Sequence, residues 1–242
     1  QQVASGKRIY LMIDCIEHAR LIDERAQRAG AVVPLCLDVD MSVDFPGLYF
    51  GVYRSPIRSA DDAARLYRDM SSLKSVNLCA VMGYEAQVAG AADNVPGKWL
   101  ENNVIPKLKA RSIPIFHQRR QAVVQTLRAM GADISIVNGG GTGSIESTLE
   151  DSSVTEVAVG SGFYSPRLFD CYQAFRHEPA AGFATPVTRR PRKGMYTSFS
   201  GGYVASGSVS DIKAPYPYLP SGMTQIKNEG CGEVQTPFKL RT

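Results

Sequence analysis

The stretch ISIVNGGGTGS, Ile134 to Ser144, decides how this chain is read. A short β-branched run ends in four glycines within five positions, Gly139, Gly140, Gly141 and Gly143, and a helix-like segment, Ile145 to Leu149, follows at once. Glycines without a Cβ let backbone N–H groups turn inward on an anion, and a helix start adds the positive end of its dipole. The segment therefore predicts a strand–loop–helix corner that cradles a phosphate. No GK[ST] follows, which excludes a Walker loop, and Ser144 stands where a dinucleotide fingerprint has its third glycine. The hydroxyls of Thr142 and Ser144 can supplement the amides. The alternative for these residues is a tight solvent loop.

The same grammar extends in both directions. Downstream, the strand-like Val154 to Val159 runs into a second glycine loop, Gly160, Ser161 and Gly162, followed by Phe163 and Tyr164. In a parallel barrel, adjacent strand ends meet at one mouth, where phosphate often sits between neighbouring strands. Tyr164 adds a phenol there or packs beneath the loop. Upstream, Arg8 to Ile13 reads as a strand, and Ile16, Ala19, Ile22, Ala26 and Ala29 recur at helical spacing up to Gly30. Val33 to Val39 is a second strand, followed by an irregular stretch to Pro56. A helix starts at Ser59, with Asp62 in a capping-box relation. Val76 to Met82 is a third strand, and after a long insertion a helix carries Phe116, Val123, Leu127 and Met130 on its apolar face. Strands alternating with helices argue a parallel sheet, because parallel neighbours need crossovers. From about Pro179 the chain becomes rich in Gly, Pro, Tyr and Ser, with short runs such as Met195 to Phe199, and predicts a mostly β segment.

Composition agrees with a folded protein. The 242 residues are 44% hydrophobic, and 27 basic groups against 23 acidic ones leave a net charge of only +4, outside the range of disordered chains. The basic cluster Arg189 to Lys193 is too short to argue for nucleic acid, and no apolar run approaches a membrane span. Five cysteines, odd in number and without a CxxC pair, read as reduced thiols in a cytoplasmic protein.

Other candidates lie at strand ends. Asp38 and Asp40 invite a metal reading, but Ser42 and Val43 break the EF-hand pattern and no histidine is near, so orientation of an arginine such as Arg54 is the better role. Tyr84 and Glu85 end the third strand and point to the same mouth. His18, His117 and His177 are far apart in sequence and predict solvated or helix-packed side chains, with no metal set among them.

Several segments in order carry a family resemblance: LDVD at 37–40, GVYRSP at 51–56, MGYEAQ at 82–87, VNGGGTGS at 137–144 and TEVAVGSGFY at 155–164, with GGY at 201–203 and GEVQTP at 232–237. Together they resemble the amino acid deaminase/aldolase group of pyridoxal-phosphate (PLP) enzymes, relatives of D-threonine aldolase and D-serine dehydratase with an alanine-racemase-type barrel. The resemblance implies that Gly139, Gly140, Gly141, Thr142, Gly143 and Ser144, with Gly160, Ser161, Gly162 and Tyr164, hold the cofactor phosphate. It implies that Tyr84 and Arg54 lie near the cofactor ring. The family's Schiff-base lysine belongs to the first barrel strand, and no lysine of this chain matches it. The segment that supplies metal ligands in the metal-dependent relatives is likewise unmatched, so a divalent metal is an expectation for a longer parent chain only.

The resulting expectations are specific. The fold class is α/β, a partial TIM-type (alanine racemase N-terminal-like) barrel followed by the start of a β domain. Residues 1–178 carry the later five strands and 179–242 begin the C-terminal β domain. The function is that of a PLP-dependent lyase, an aldolase or deaminase acting on small D-β-hydroxy amino acids, with a homodimer compatible with the full-length form. This chain alone is expected to be inactive. The competing readings are a non-catalytic PLP-binding protein and a PLP-independent barrel enzyme for a phosphorylated substrate.

Overall fold

The structure, a computed structural model, describes residues 2–203 and 209–240. The chain divides into two compact units, one formed by residues 1–91 and 103–160, the other by 92–102 and 161–242.

The first unit is built on a five-stranded, wholly parallel sheet. Its strands are β1 (Leu11–Ile13), β2 (Val33–Asp38), β5 (Val76–Gly83), β6 (Ile136–Gly139) and β7 (Glu156–Val157), hydrogen-bonded in that order. The order follows the sequence because each crossover carries helix: α1 (Ile16–Arg28), α2 (Ala60–Asp69), the short α3 (Ala86–Gly90) with α4 (Trp99–Ala129), and the short α5 (Ile145–Leu149). The central strands β2 and β5 read VPLCLD and VNLCAVMG, the near-continuous apolar runs expected of strands covered on both faces. Among the described residues β1 pairs with β2 alone, and its Leu11 and Met12 remain exposed while Ile13 is buried. The core joins Leu35, Leu37, Val81 and Val137 from the sheet to Ala63, Phe116, Val123 and Leu127 from the helices.

Local chemistry sets the helix limits. Ser59 caps α2, its side chain accepting the Asp62 N–H at 3.1 Å. In α1 the buried face is Ala19, Asp23 and Ala26. The Asp23 carboxylate accepts the N–H groups of Lys74 and Ser75, tying α1 to the entry of β5.

Two features differ from the sequence reading. The stretch expected to be irregular before Pro56 contains an antiparallel hairpin, β3 (Val43–Phe45) and β4 (Leu48–Phe50), followed by the Arg54 loop. Helix α4 begins at Trp99, well before the apolar face that announced it. Pro106 and Pro114 lie inside it, and a proline lacks the N–H that a helix interior uses, which hid the early turns from the pattern. Its buried side chains include Lys109, Ser112, Phe116, Arg120, Val123 and Leu127, a face at three- and four-residue spacing.

The second unit carries a four-stranded antiparallel sheet in the order β10 (Met223–Gln225), β11 (Gln235–Leu240), β9 (Met195–Phe199), β8 (Val187–Arg192). β8 is an edge strand with every residue exposed, and its arginines discourage pairing with another chain. Before the sheet, Phe169, Tyr172 and Phe175 pack ring against ring, and the Asp93 carboxylate accepts the Gln173 N–H at 2.9 Å. All five cysteines are free. Among the described residues, no helix is long and apolar enough to cross a membrane.

Candidate functional site

The carboxyl end of β6 leads into the glycine turn. Gly140 takes φ +86°, the left-handed region that glycine enters without penalty. Gly141 is extended, and its requirement is space: a Cβ there would lie 2.7 Å from Ala89 Cβ and 2.8 Å from Tyr84 Cε2. Thr142 to Ser144 then form one tight turn that leads into α5. The Gly141 N–H donates to Ser144 Oγ at 3.1 Å, and the Ser144 N–H returns to the Gly141 carbonyl at 2.9 Å. The Thr142 hydroxyl donates to the Val159 carbonyl at 2.6 Å. Both hydroxyls are thus engaged within the loop, as are the N–H groups of Gly140, Gly141 and Ser144, so the groups best placed for an anion are the backbone N–H groups of Thr142 and Gly143 in the first turn. Gly143 is the part-exposed member of an otherwise buried loop.

Behind the turn stands a buried ionic cluster. Arg120, on α4 and fully buried, donates to the Gly83 carbonyl at 2.8 Å, to Glu85 Oε1 and to Asp151 Oδ2. The other oxygen of Glu85 accepts the Gly140 N–H at 2.6 Å. Gln121 and Ser153 donate to the second oxygen of Asp151. The guanidinium therefore links the end of β5, the start of the glycine turn and the exit of α5, and it neutralises a carboxylate that would otherwise repel an anion above it. Burial pulls Arg120 below the usual arginine range, opposed by Asp151. Burial pushes Asp151 up, but the Ser153 N–H and hydroxyl, Gln121 and Arg120 outweigh it and leave this carboxyl below its ordinary value.

The neighbouring strand ends supply an aromatic and cationic wall. Arg54 lies over the Tyr84 ring at 5.3 Å and pairs with Asp38 at 3.9 Å. Burial raises the Asp38 carboxyl, with Arg54 opposing and Asp14 adding to the shift. Asp40 turns the other way, to Arg58 at 3.3 Å. Gly160 follows β7, which is paired with β6 through Gly139 and Val157, so both glycine segments leave the same end of the sheet. Ser161, Gly162 and Tyr164 belong to the second unit. There the Tyr164 N–H bonds to the Ser161 carbonyl, and the Tyr164 side chain is 64% exposed.

Sequence reasoning passed over Arg120 and Asp151. A signal for the first existed: Arg120 falls four residues after Phe116 and three before Val123, a cation on the apolar face of its helix. A further set of donors, Asp14, Cys15 and His18, gathers at the end of β1. The second unit has its own open cleft of about 620 Å³, where Arg167 lies over the Tyr216 ring at 4.2 Å and donates to the Asp211 carbonyl.

No family model and no curated protein matches this sequence. Solved structures do match in fold. D-threonine aldolase from Filomicrobium marinum superposes with a TM-score of 0.73 at 17% identity, over 100% of this chain and 58% of that one. D-threo-3-hydroxyaspartate dehydratase from Delftia sp. HT23 gives 0.63 at 16%, over 98% and 60%. An alanine racemase from Clostridium difficile 630, in complex with cycloserine, gives 0.58 at 15%, over 100% and 59%. The chain has the alanine-racemase-type fold and spans about three-fifths of the length of each of these proteins.

Proposed function

We propose that this chain forms the phosphate- and ring-holding part of a PLP-dependent lyase that acts on small D-β-hydroxy amino acids. The observation that carries the reading is the Gly140–Ser144 turn at the carboxyl end of β6, with its first amide fixed by Glu85 and that carboxylate in turn by Arg120. The residues suit the cofactor: backbone N–H groups at a turn and helix start favour a phosphate, and the Tyr84–Arg54 stack offers an aromatic face and a cation beside it. In this reading Gly143 and the turn amides hold the phosphate, Gly160 at the end of the neighbouring strand extends the contact, and Tyr84 with Arg54 orients the ring.

When bound, the cofactor supplies an electron sink for a carbanion at the substrate Cα. The chain's part is to fix the phosphate and the plane of the ring, because the bond perpendicular to that plane is the one that breaks. Two outcomes fit a β-hydroxyl substrate. Cleavage of Cα–Cβ gives glycine and an aldehyde; β-elimination gives an oxo acid and ammonia. The aldolase and the dehydratase among the structural neighbours support this class.

The test is binding by the chain itself. Equilibrium dialysis should show pyridoxal phosphate retained and pyridoxal retained far less, with inorganic phosphate competing. Gly143→Asp, which sets a carboxylate at the loop's part-exposed position, should abolish the difference. Equal retention of the two vitamers would sink the phosphate-site assignment, while tight binding of simple phosphate esters with no preference for the pyridine ring would favour a PLP-independent enzyme.

A further inference from the structure

At the end of β1 the sequence reads DCIEH, Asp14 to His18, and the fold draws three of these side chains together. A carboxylate oxygen of Asp14, Cys15 Sγ and a ring nitrogen of His18 all lie within 4.8 Å of one another. His18 Nδ1 is 2.9 Å from Asp14 Oδ1. Asp14 and Cys15 are half-buried and His18 is exposed, so the group opens to solvent at the sheet edge.

We infer that Asp14, Cys15 and His18 form a binding site for a borderline-soft divalent cation such as Zn²⁺, with water completing a tetrahedral shell. The donor set is selective: thiolate, imidazole and carboxylate together suit zinc, whereas magnesium and calcium want oxygen alone. The geometry is close to what the ion requires. With metal–ligand bonds of about 2.0–2.1 Å, a tetrahedral angle separates nitrogen from oxygen by about 3.3 Å, so entry of the ion parts the Asp14–His18 pair by a few tenths of an ångström.

The position of Cys15 supports this assignment. It is the N-cap of α1, in extended backbone, yet its side chain makes no capping hydrogen bond. Serine, aspartate or asparagine would stabilise this helix start by about 1 kcal/mol. The thiol therefore contributes little as a cap and stands instead beside a histidine and a carboxylate.

The site is independent of the glycine turn and of any reading of its ligand, and its test uses the metal alone. Chelator-treated chain is titrated with Co²⁺ and followed by absorbance. One equivalent should produce the near-ultraviolet sulfur-to-cobalt charge-transfer band together with the intense visible bands of a tetrahedral ion, and Zn²⁺ should displace it. Cys15→Ser should remove the ultraviolet band; because serine is the better N-cap, that loss cannot be ascribed to a damaged helix. His18→Ala should weaken binding by at least about tenfold with the thermal midpoint of the metal-free protein unchanged. Cobalt binding without the ultraviolet band, a band that survives Cys15→Ser, or the lack of saturable binding would overturn the inference.

Discussion

Two strand ends of one parallel sheet are built in opposite ways. At the end of β6, in the interior of the sheet order, the glycine turn rests on Arg120, Glu85 and Asp151, all buried and bonded to one another or to backbone. At the end of β1, on the edge, Asp14 and His18 meet beside the Cys15 thiol in partial or full contact with water. The two strand ends therefore differ in burial: one is an enclosed ionic scaffold, the other a set of donors in contact with water. A buried ionic cluster is strong only as a whole, because desolvation leaves any remaining charge uncompensated. An exposed one is weak as a structural element and correspondingly free to exchange a partner for a ligand.

The largest effect should follow from breaking the interior cluster. Arg120→Ala leaves Glu85 and Asp151 buried without their cation, and a loss of about 3–5 kcal/mol in denaturant unfolding is expected. Replacing all three together by Met, Gln and Asn should recover a good part of that loss, because no charge is then stranded. If Arg120→Ala is nearly silent, the cluster does not hold the turn.

Next in size is Gly141→Ala. The backbone there is extended and strain-free for any residue, so the cost comes from packing against Ala89 and the Tyr84 ring. Overpacking of this kind costs about 1–3 kcal/mol, and it should displace Tyr84 and weaken phosphate binding in the same variant. Ala89→Gly removes one of the two opposing atoms and should restore part of both, measured by unfolding and by phosphate competition.

These two sites also mark the limit of what the sequence discloses. The order of the parallel strands, the cap at Ser59 and the position of the glycine turn were legible because each rests on local rules: apolar runs of strand length, a side-chain acceptor three residues before an N–H, glycines where a chain must turn. The hairpin between β3 and β4 was not, since its strands, Val43–Phe45 and Leu48–Phe50, are too short to show alternation. The early turns of α4 were masked by Pro106 and Pro114. Arg120 was invisible as a partner of Glu85 because the two lie 35 positions apart and meet only through the crossover. A search for histidine sets likewise passes over His18, whose companions at the β1 corner are an aspartate and a cysteine.

The pH dependence separates two further carboxylates, Asp151 behind the glycine turn and Asp38 at the end of β2. The folded Asp151 carboxyl lies below its unfolded value, so its contribution is present above about pH 4 and is lost as pH falls through the folded value. Asp38, raised by burial, acts in the opposite sense: its contribution is complete below its unfolded value and is lost as pH rises through the folded one. Asp151→Asn should therefore flatten the acid limb of the stability curve, and Asp38→Asn should lift the plateau at neutral pH relative to the acid end. Acid limbs that coincide for wild type and Asp151→Asn would refute the first assignment.

The smallest effect belongs to the edge. In metal-free protein, Asp14→Asn removes an i,i+4 partner of His18 and a negative charge at the start of α1. The histidine side chain is 56% exposed, so solvent screens the pair, and measured pairs of this kind contribute about 0.2–1 kcal/mol. The interaction of the charge with the helix start has a similar size and falls with salt. The expected loss is therefore below about 1 kcal/mol at low ionic strength and close to zero in concentrated salt. The interior variant should keep nearly its full penalty under the same salt, because its charges are shielded from the ions. A salt-insensitive loss for Asp14→Asn as large as that of Arg120→Ala would mean that the β1 corner is structural after all, and that the two strand ends do not differ in kind.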